Sequence, residues 1–261
     1  MRIVLTQPRS RAGDGSDIES LSGLVRRVGF AGEPNDAIVL PEMIGEGSSS
    51  EKYLADVTGM AREFGCHVVG GSHVATSTGS RINQGFVVGP DGQIVAHYEK
   101  ANPYSNERKL AMAPGVGGAS FRIGEVECSV LVCADFFHVE TYRTLGVRPD
   151  VIFVPAFSVT RKSSPDLARA RWRHAMIARA FEQGAYVAVS DFAFPVRGNG
   201  NPSSGVAGLA HPDPLRPDGL LRTLGRSQVA VFEVDPNAGR LLREDQRSRG
   251  FDIGRVKEAQ S

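Results

Sequence analysis

The sequence predicts a single α/β domain, and three observations carry that prediction. Short apolar runs such as "AIVL", "SVLVC" and "DVIFVPA" alternate with segments whose apolar residues recur at helical spacing, the pattern of a sheet covered by helices. The segment "NQGFVVGPDGQIVAHYEK" holds two extended runs around Gly89-Pro90-Asp91-Gly92, so an antiparallel hairpin is added to that pattern. No internal repeat and no linker divides the 261 residues.

Taken in order, "RIVLTQ" opens as a strand. Ile18, Leu21, Val25 and Val28 then line one face of a helix. "AIVLPE" is a buried strand, and Tyr53, Val57, Met60 and Phe64 mark a second amphipathic helix before the strand "CHVVGG". After the hairpin come the strand "CSVLVC", a short helix from Val139 to Leu145 and the strand "DVIFVPA". The long helix through "DLARARWRHAMIARAFEQ" is expected to stop at Gly184, a C′ glycine, and "YVAVSDF" follows as a strand. Residues 195–205, rich in Gly, Asn, Pro and Ser, read as a loop too long to be a mere connector. "GVAGLAH" and "SQVAVFEVD" are the last strands, and a charged tail runs from Leu242.

With 41% hydrophobic and 23% charged residues, the composition is that of an ordinary globular protein. A net charge of +1 supplies no electrostatic reason to expect nucleic acid or an anionic membrane as partner. The opening "MRIVLTQPR" turns polar too soon for a signal peptide, and no apolar run approaches the roughly 20 residues of a spanning helix. Three cysteines, Cys66, Cys128 and Cys133, are an odd and sparse set that suggests a reducing compartment. A cytoplasmic protein is expected.

Cysteine most often packs as a small hydrophobe, and Cys66 and Cys128 fit that role. Cys133 differs because it ends its strand, with polar sequence after it, and reactive groups in open α/β sheets collect at that end. A helix starting soon after would lower its thiol pKa through the amino-terminal dipole. Two other strands end in groups that a reactive thiol needs. "AIVLPE" delivers Glu42 directly after a buried run, where desolvation raises a carboxyl toward the range of a general base; a loop-capping role is the bland alternative. "IVAHYEK" delivers Lys100, one of five lysines among 30 basic residues, at a position suited to a compact ammonium; a merely exposed lysine is the alternative.

The order "LPE", "YEK", "VCAD" and then "RWRHAMIARAFEQGAYV" resembles the nitrilase superfamily of carbon–nitrogen hydrolases over nearly the whole chain, with "MAPG" and "SSGVAGLAHPDPLRPDG" matching further segments. The resemblance implies a four-layer α-β-β-α sandwich covering residues 1–261. It also implies a homodimer or higher oligomer, with residues 242–261 reaching the neighbouring subunit, and no cofactor. It assigns Glu42 as general base, Lys100 as oxyanion-stabilising cation and Cys133 as nucleophile. The Ala134 N–H becomes a second oxyanion donor, and Glu107 a further glutamate that orients the triad, against its bland reading as a surface loop residue. Phe137, His138, Ala156 and Phe157 are the candidate substrate contacts.

Departures narrow the activity. After the nucleophile this chain reads "CADFFHVE", with Ala134 in place of an aromatic and Val139 in place of a proline, and the Trp-Glu of many nitrilases is absent. A small-molecule amide or carbamoyl substrate is therefore expected over a nitrile. Nitrile hydrolysis or acyl transfer on the same triad, or a binding scaffold that has lost catalysis, are the alternatives. Members that cleave monoamides of dicarboxylic acids resemble "C-Y-D-L-R-F-P-E", and their arginine falls here on Phe137. Neutral or amine-bearing substrates are accordingly expected over carboxylate-tailed ones, unless another arginine, Arg161 for instance, supplies the charge. No G-x-S-x-G elbow, Walker loop, H-E-x-x-H or C-x-x-C appears, which disfavours a serine hydrolase, a phosphate cradle and a metal site. Trp172 is read as core.

Overall fold

A computed structural model describes residues 1–9, 17–77, 79–198 and 200–251. The chain begins β1 (Arg2–Thr6), α1 (Ile18–Arg27), β2 (Ala37–Val39), α2 (Ser50–Phe64), β3 (His67–Val69), β4 (His73–Ser77), β5 (Ser80–Val88) and β6 (Ile94–Glu99). It continues through a one-turn α3 (Asn106–Lys109), β7 (Ala119–Ile123), β8 (Val126–Val130), a 3-10 turn over Cys133–Phe137, α4 (Val139–Thr144), β9 (Val151–Pro155), α5 (Asp166–Gln183) and β10 (Tyr186–Ser190). It closes with the small hairpin β11 (Arg197–Gly198) and β12 (Asn201–Pro202), then β13 (Gly208–Ala210), β14 (Leu221–Thr223), β15 (Val229–Glu233) and α6 (Pro236–Ser248).

The strands form two main sheets. In the first, β1, β2 and β3 run parallel, β15 pairs antiparallel with β1, and the β4–β5–β6 meander extends the other side through β5. In the second, β8, β9 and β10 run parallel, flanked by β7 on one side and by β13 and β14 on the other.

Alternation along each strand decides which layer covers which face. Ile3, Leu5, Ala37, Val39, Val69 and Val87 pack in one cluster with residues of β8, β9 and β10, between the sheets. The intervening Val4, Ile38, Val68 and Val88 pack instead with Ile18, Leu21 and Val25 of α1 and Tyr53 and Val57 of α2. On the far side Trp172, Met176 and Ala180 of α5 join the second sheet. The order helix, sheet, sheet, helix is the expected four-layer sandwich. Val28 falls outside the expected helical face: it caps α1 and is exposed, because the helix ends at Arg27.

Local chemistry accounts for the ends. The Ser49 side chain accepts the Lys52 N–H at the start of α2, and Gly65 and Gly184, both left-handed, end α2 and α5. The long loop expected over 195–205 contains β11 and β12 and is tied down by a bridge between Val159 and Ser203. The charged segment expected as a tail begins inside α6. Arg240 and Arg243 of that helix both reach the buried Asp150 at the start of β9, at 2.7 and 2.6 Å. Of the segment 242–261 expected to reach a neighbouring subunit, the second half, residues 252–261, lies outside the described residues.

The Asp150 contact generates a stability prediction. Burial opposes ionisation of this carboxyl, but hydrogen bonds from Arg240 and Arg243 outweigh that and hold its pKa below the ordinary value. A depressed pKa contributes stability that is present above the unfolded pKa and lost as pH falls through the folded one. Asp150→Ala is expected to destabilise the protein by about 3 kcal/mol, because the partly buried Arg243 loses its carboxylate partner and keeps only carbonyl acceptors. Urea titrations at neutral pH and in acid, descending from the unfolded carboxyl value of about 4, should show the deficit shrinking as pH falls through the lower folded value; an unchanged deficit would contradict the ion-pair assignment.

Candidate active site

Four strand or turn ends converge at one edge of the sandwich. β2 leads through Leu40 and Pro41 to Glu42, β6 to Lys100, β8 through Leu131 and Val132 to Cys133, and β9 to Ala156 and Phe157. Close approach of backbones makes this convergence possible. Gly71 has φ +71°, and a Cβ there would lie 2.1 Å from the Pro41 carbonyl oxygen, so only glycine lets the loop carrying Glu42 settle.

The charged groups are almost wholly withdrawn from solvent: Lys100 is 2% exposed, Glu42 3% and Glu107 5%. The Lys100 ammonium donates to Glu42 Oε1 at 2.7 Å and to Glu107 Oε2 at 2.5 Å. Asn83, on β5, donates its side-chain amide to the same two carboxylates, at 2.9 Å to Glu42 Oε1 and 2.7 Å to Glu107 Oε1. The remaining Glu42 oxygen accepts the Phe157 N–H at 3.0 Å, and Glu107 Oε2 also accepts the Tyr104 N–H at 2.7 Å. Glu107 is thus an interior partner of Lys100 rather than a surface loop residue.

Electrostatics follow from burial and pairing. Burial alone would lower the Lys100 pKa, but Glu42, Cys133 and Glu107 around it raise it well past its ordinary value, so it stays an ammonium. Burial raises the Glu42 carboxyl, with Lys100 opposing and Glu107 reinforcing the shift. The Cys133 thiol is also pushed well above its usual value, first by burial and then by Glu42. That reverses the expectation of a dipole-lowered thiol: only a 3-10 turn begins at Cys133, and a neighbouring carboxylate disfavours a second anion. Burial thus shifts both groups toward their neutral forms, with the Cys133 thiol and the Glu42 carboxyl side by side in hydrogen-bond contact.

The turn at Cys133 is held in a conformation that an L-residue avoids, with φ +47°. Only three other non-glycine residues among those described have positive φ, and two of them, Met43 and Ser105, line the same chamber. Asp135 clamps the turn by accepting the Ala101 N–H at 2.9 Å and the Asn102 N–H at 2.8 Å, which ties the nucleophile candidate to the residues after Lys100. Ala134 lies in the first part of that turn, where an N–H has no intrahelical acceptor.

Two cavities meet at Cys133. A chamber of about 40 Å³ is bounded by Glu42, Lys100, Glu107, Tyr104 and Phe157. A wider cavity of about 300 Å³ is lined by Ala134, Phe137, His138, Phe157, Arg171 and Trp172. Ala134, Phe137, His138 and Phe157 therefore stand where substrate contacts were expected. Ala156 does not: it is fully buried, and its carbonyl accepts the Glu42 N–H at 3.2 Å, so it supports the base candidate from behind. Arg161 lies outside both cavities, over the Tyr104 ring and hydrogen-bonded to Ser105. Trp172 is buried as expected, yet it also forms cavity wall, stacked on Phe136 at 5.7 Å. Sequence reasoning missed Asn83, Tyr104 and Arg171. For Asn83 a signal existed, a polar residue at an inward position of a strand. Arg171 is indistinguishable from its neighbours in "ARARWRH". Among the described residues no cluster of His, Cys, Asp and Glu is arranged to hold a metal ion.

The backbone at position 133 yields a prediction independent of any reaction. Cys133→Gly should be more stable than Cys133→Ala by about 1 kcal/mol, since glycine alone tolerates positive φ without strain. Thermal and urea unfolding of the two variants measure this directly, and an alanine variant at least as stable would contradict the strained turn.

Similarity to known proteins agrees with this architecture. Residues 32–230 match the family model described as carbon-nitrogen hydrolase. Over 166 residues the chain is 27% identical to a 2-oxoglutaramate amidase of Bacillus subtilis, covering 59% of this chain and 62% of that protein. Over 155 residues it is 32% identical to a nitrilase of Pyrococcus abyssi, covering 58% of this chain and 53% of that protein. The matches thus span less than two thirds of either relative. Among solved structures, the CN-hydrolase superfamily protein XC1258 from Xanthomonas campestris superposes with a TM-score of 0.76 at 18% identity, covering 100% of this chain and 99% of that one. Fold and matched sequence together establish that the chain belongs to the carbon-nitrogen hydrolase family.

Proposed function

We propose that the protein hydrolyses linear amides or carbamoyl compounds through a thioester on Cys133. The observation that carries this proposal is the buried ammonium of Lys100, fixed between Glu42 and Glu107 beside a neutral thiol. Glu42 accepts the thiol proton as sulfur attacks the amide carbon. The tetrahedral oxyanion is stabilised by Lys100 and the Ala134 N–H, each such donor contributing about 3 kcal/mol to lowering the barrier. Collapse breaks the carbon–nitrogen bond, and Glu42 returns the proton to the leaving amine. The same carboxylate then activates water, for which a chamber of about 40 Å³ has room, and the acid is released with the thiol restored. Glu107 and Asn83 hold Lys100 and Glu42 in register throughout.

The wider cavity shapes the acyl group. Its rings, Phe137, Phe157 and Trp172, favour an apolar chain, while Arg171 and His138 stand among them and, among the described residues, no carboxylate lines the wall. A cationic tail would meet Arg171, so amine-bearing acyl groups lose the rationale that position 137 alone suggested. A chain that is uncharged, or that ends in an anion, fits.

Two predictions test this function. Incubation with a panel of amides should leave an acyl adduct on Cys133 by intact mass. Glu42→Gln should lower kcat/KM by about 10²- to 10⁴-fold and remove the acid limb of its pH profile, a limb lying above the ordinary carboxylate range because burial raises Glu42. Turnover retained in a clean Cys133→Ala preparation would falsify the covalent route. For substrate choice, glutaramate and pentanamide differ only in a terminal carboxylate against a methyl. The ratio of their kcat/KM values is expected to fall about tenfold in Arg171→Ala, as loss of one charge-assisted contact implies. A ratio unmoved by Arg171 would leave the triad untouched and remove Arg171 from specificity.

A further inference from the structure

We propose a second ligand site, for an anionic small molecule with a ring or short apolar body, in the cavity between α5 and the turn joining β14 to β15. This cavity measures about 630 Å³, within the range of small-molecule sites, and Glu42, Lys100 and Cys133 do not line it. Four arginines do: Arg9 after β1, Arg169 and Arg173 on α5, and Arg226 in the turn, with no carboxylate lining it among the described residues. In a chain with 30 basic and 29 acidic side chains, such segregation is not a consequence of overall charge. Four like charges around one concavity repel one another, and an anion relieves that repulsion.

Two of the guanidiniums are oriented without a ligand. Arg169 donates Nε to the Ser204 carbonyl at 2.8 Å and lies 6.0 Å from the Phe194 ring centre; the exposed Asp166 stands 4.0 Å away. Arg9 donates to the Arg226 carbonyl at 2.6 Å. Groups already held lose less freedom on binding, and guanidinium matches the oxygens of phosphate or carboxylate. Phe194, Met176, Val206 and Leu221 supply an apolar surface for the rest of the ligand.

Helical spacing separates this site from the one at Cys133. Arg169, Arg173 and Met176 share one face of α5, while Ala168 and Arg171 face the cavity of Cys133. Trp172 lines both and is the chain's single tryptophan, so its fluorescence reports on either cavity.

The experiment titrates the full chain with phenyl phosphate, inorganic phosphate and benzyl alcohol, following Trp172 fluorescence and heat of binding. Saturable binding of phenyl phosphate is expected, weaker for inorganic phosphate and absent for the alcohol. It should persist after carboxamidomethylation of Cys133 and weaken at least about tenfold in Arg169→Ser/Arg173→Ser. Arg226→Ser, on a turn rather than a packed helix, provides the same reading should the double variant fail to fold. No saturable binding up to about 10 mM would overturn the site. So would affinity insensitive to these arginines, or binding abolished by modification of Cys133 alone, which would place the ligand at the catalytic thiol. None of these readouts requires turnover.

Discussion

Burying one ammonium between two carboxylates is the constraint around which this molecule is arranged. An isolated charge taken out of water costs several kcal/mol, and it is tolerated only where partners and hydrogen bonds meet it on every side. Lys100 has both glutamates, Asn83 spans the two carboxylates, and backbone N–H groups from Phe157 and Tyr104 take lone pairs that Lys100 leaves open. Beside this cluster, burial and then the Glu42 carboxyl push the Cys133 thiol upward, with Lys100 opposing.

Such a cluster needs both sheets at fixed separation, and the joint between them lies close by. The Ser190 hydroxyl accepts the Thr6 N–H at 3.0 Å and donates to the Val39 carbonyl at 2.8 Å, linking β10 to β1 and β2. One residue further, the buried Asp191 accepts the Ser158 N–H at 3.1 Å and the Val206 N–H at 2.9 Å. Glu42 is itself part of the joint: its N–H goes to Ala156 and its carboxylate to the Phe157 N–H, both at the end of β9. The base candidate from the first sheet is therefore positioned by the second. Displacing either sheet by an ångström would open the ion cluster to water and lose the strength it gains from low dielectric.

Strain is concentrated where the chemistry is proposed. Cys133, Met43 and Ser105 all hold positive φ around one chamber, a conformation costing about 1–3 kcal/mol each, and the surroundings over-determine each of them. The Asp135 carboxylate does so for the cysteine turn, through the N–H groups that follow Lys100. Thiol and ammonium are thereby coupled by backbone as well as by charge.

Residue order alone determined the α/β class, because strand and helix periods are local, while the four layers entered with the family resemblance; in the structure Ile3, Val4 and Leu5 alternate between the two cores as a strand period demands. It also marked Glu42, Lys100 and Cys133, since each stands at the end of a strand and reactive groups in α/β sheets collect at strand ends. What lay beyond it were contacts between segments distant in the chain. The resemblance names Glu107, but its burial between Lys100 and Asn83, and the meeting of Glu42 with Lys100 from far along the chain, are resolved only by the fold. Ala156 and Phe157 are adjacent, yet one turns into the core and the other into the cavity. Phe137 suggested a site without positive charge, but α5 brings Arg171 into that cavity and Arg169 and Arg173 into the next one. Which way each arginine of "ARARWRH" points is set by how the helix is rotated against the second sheet, and Trp172 and Met176, packed in the core, set that rotation.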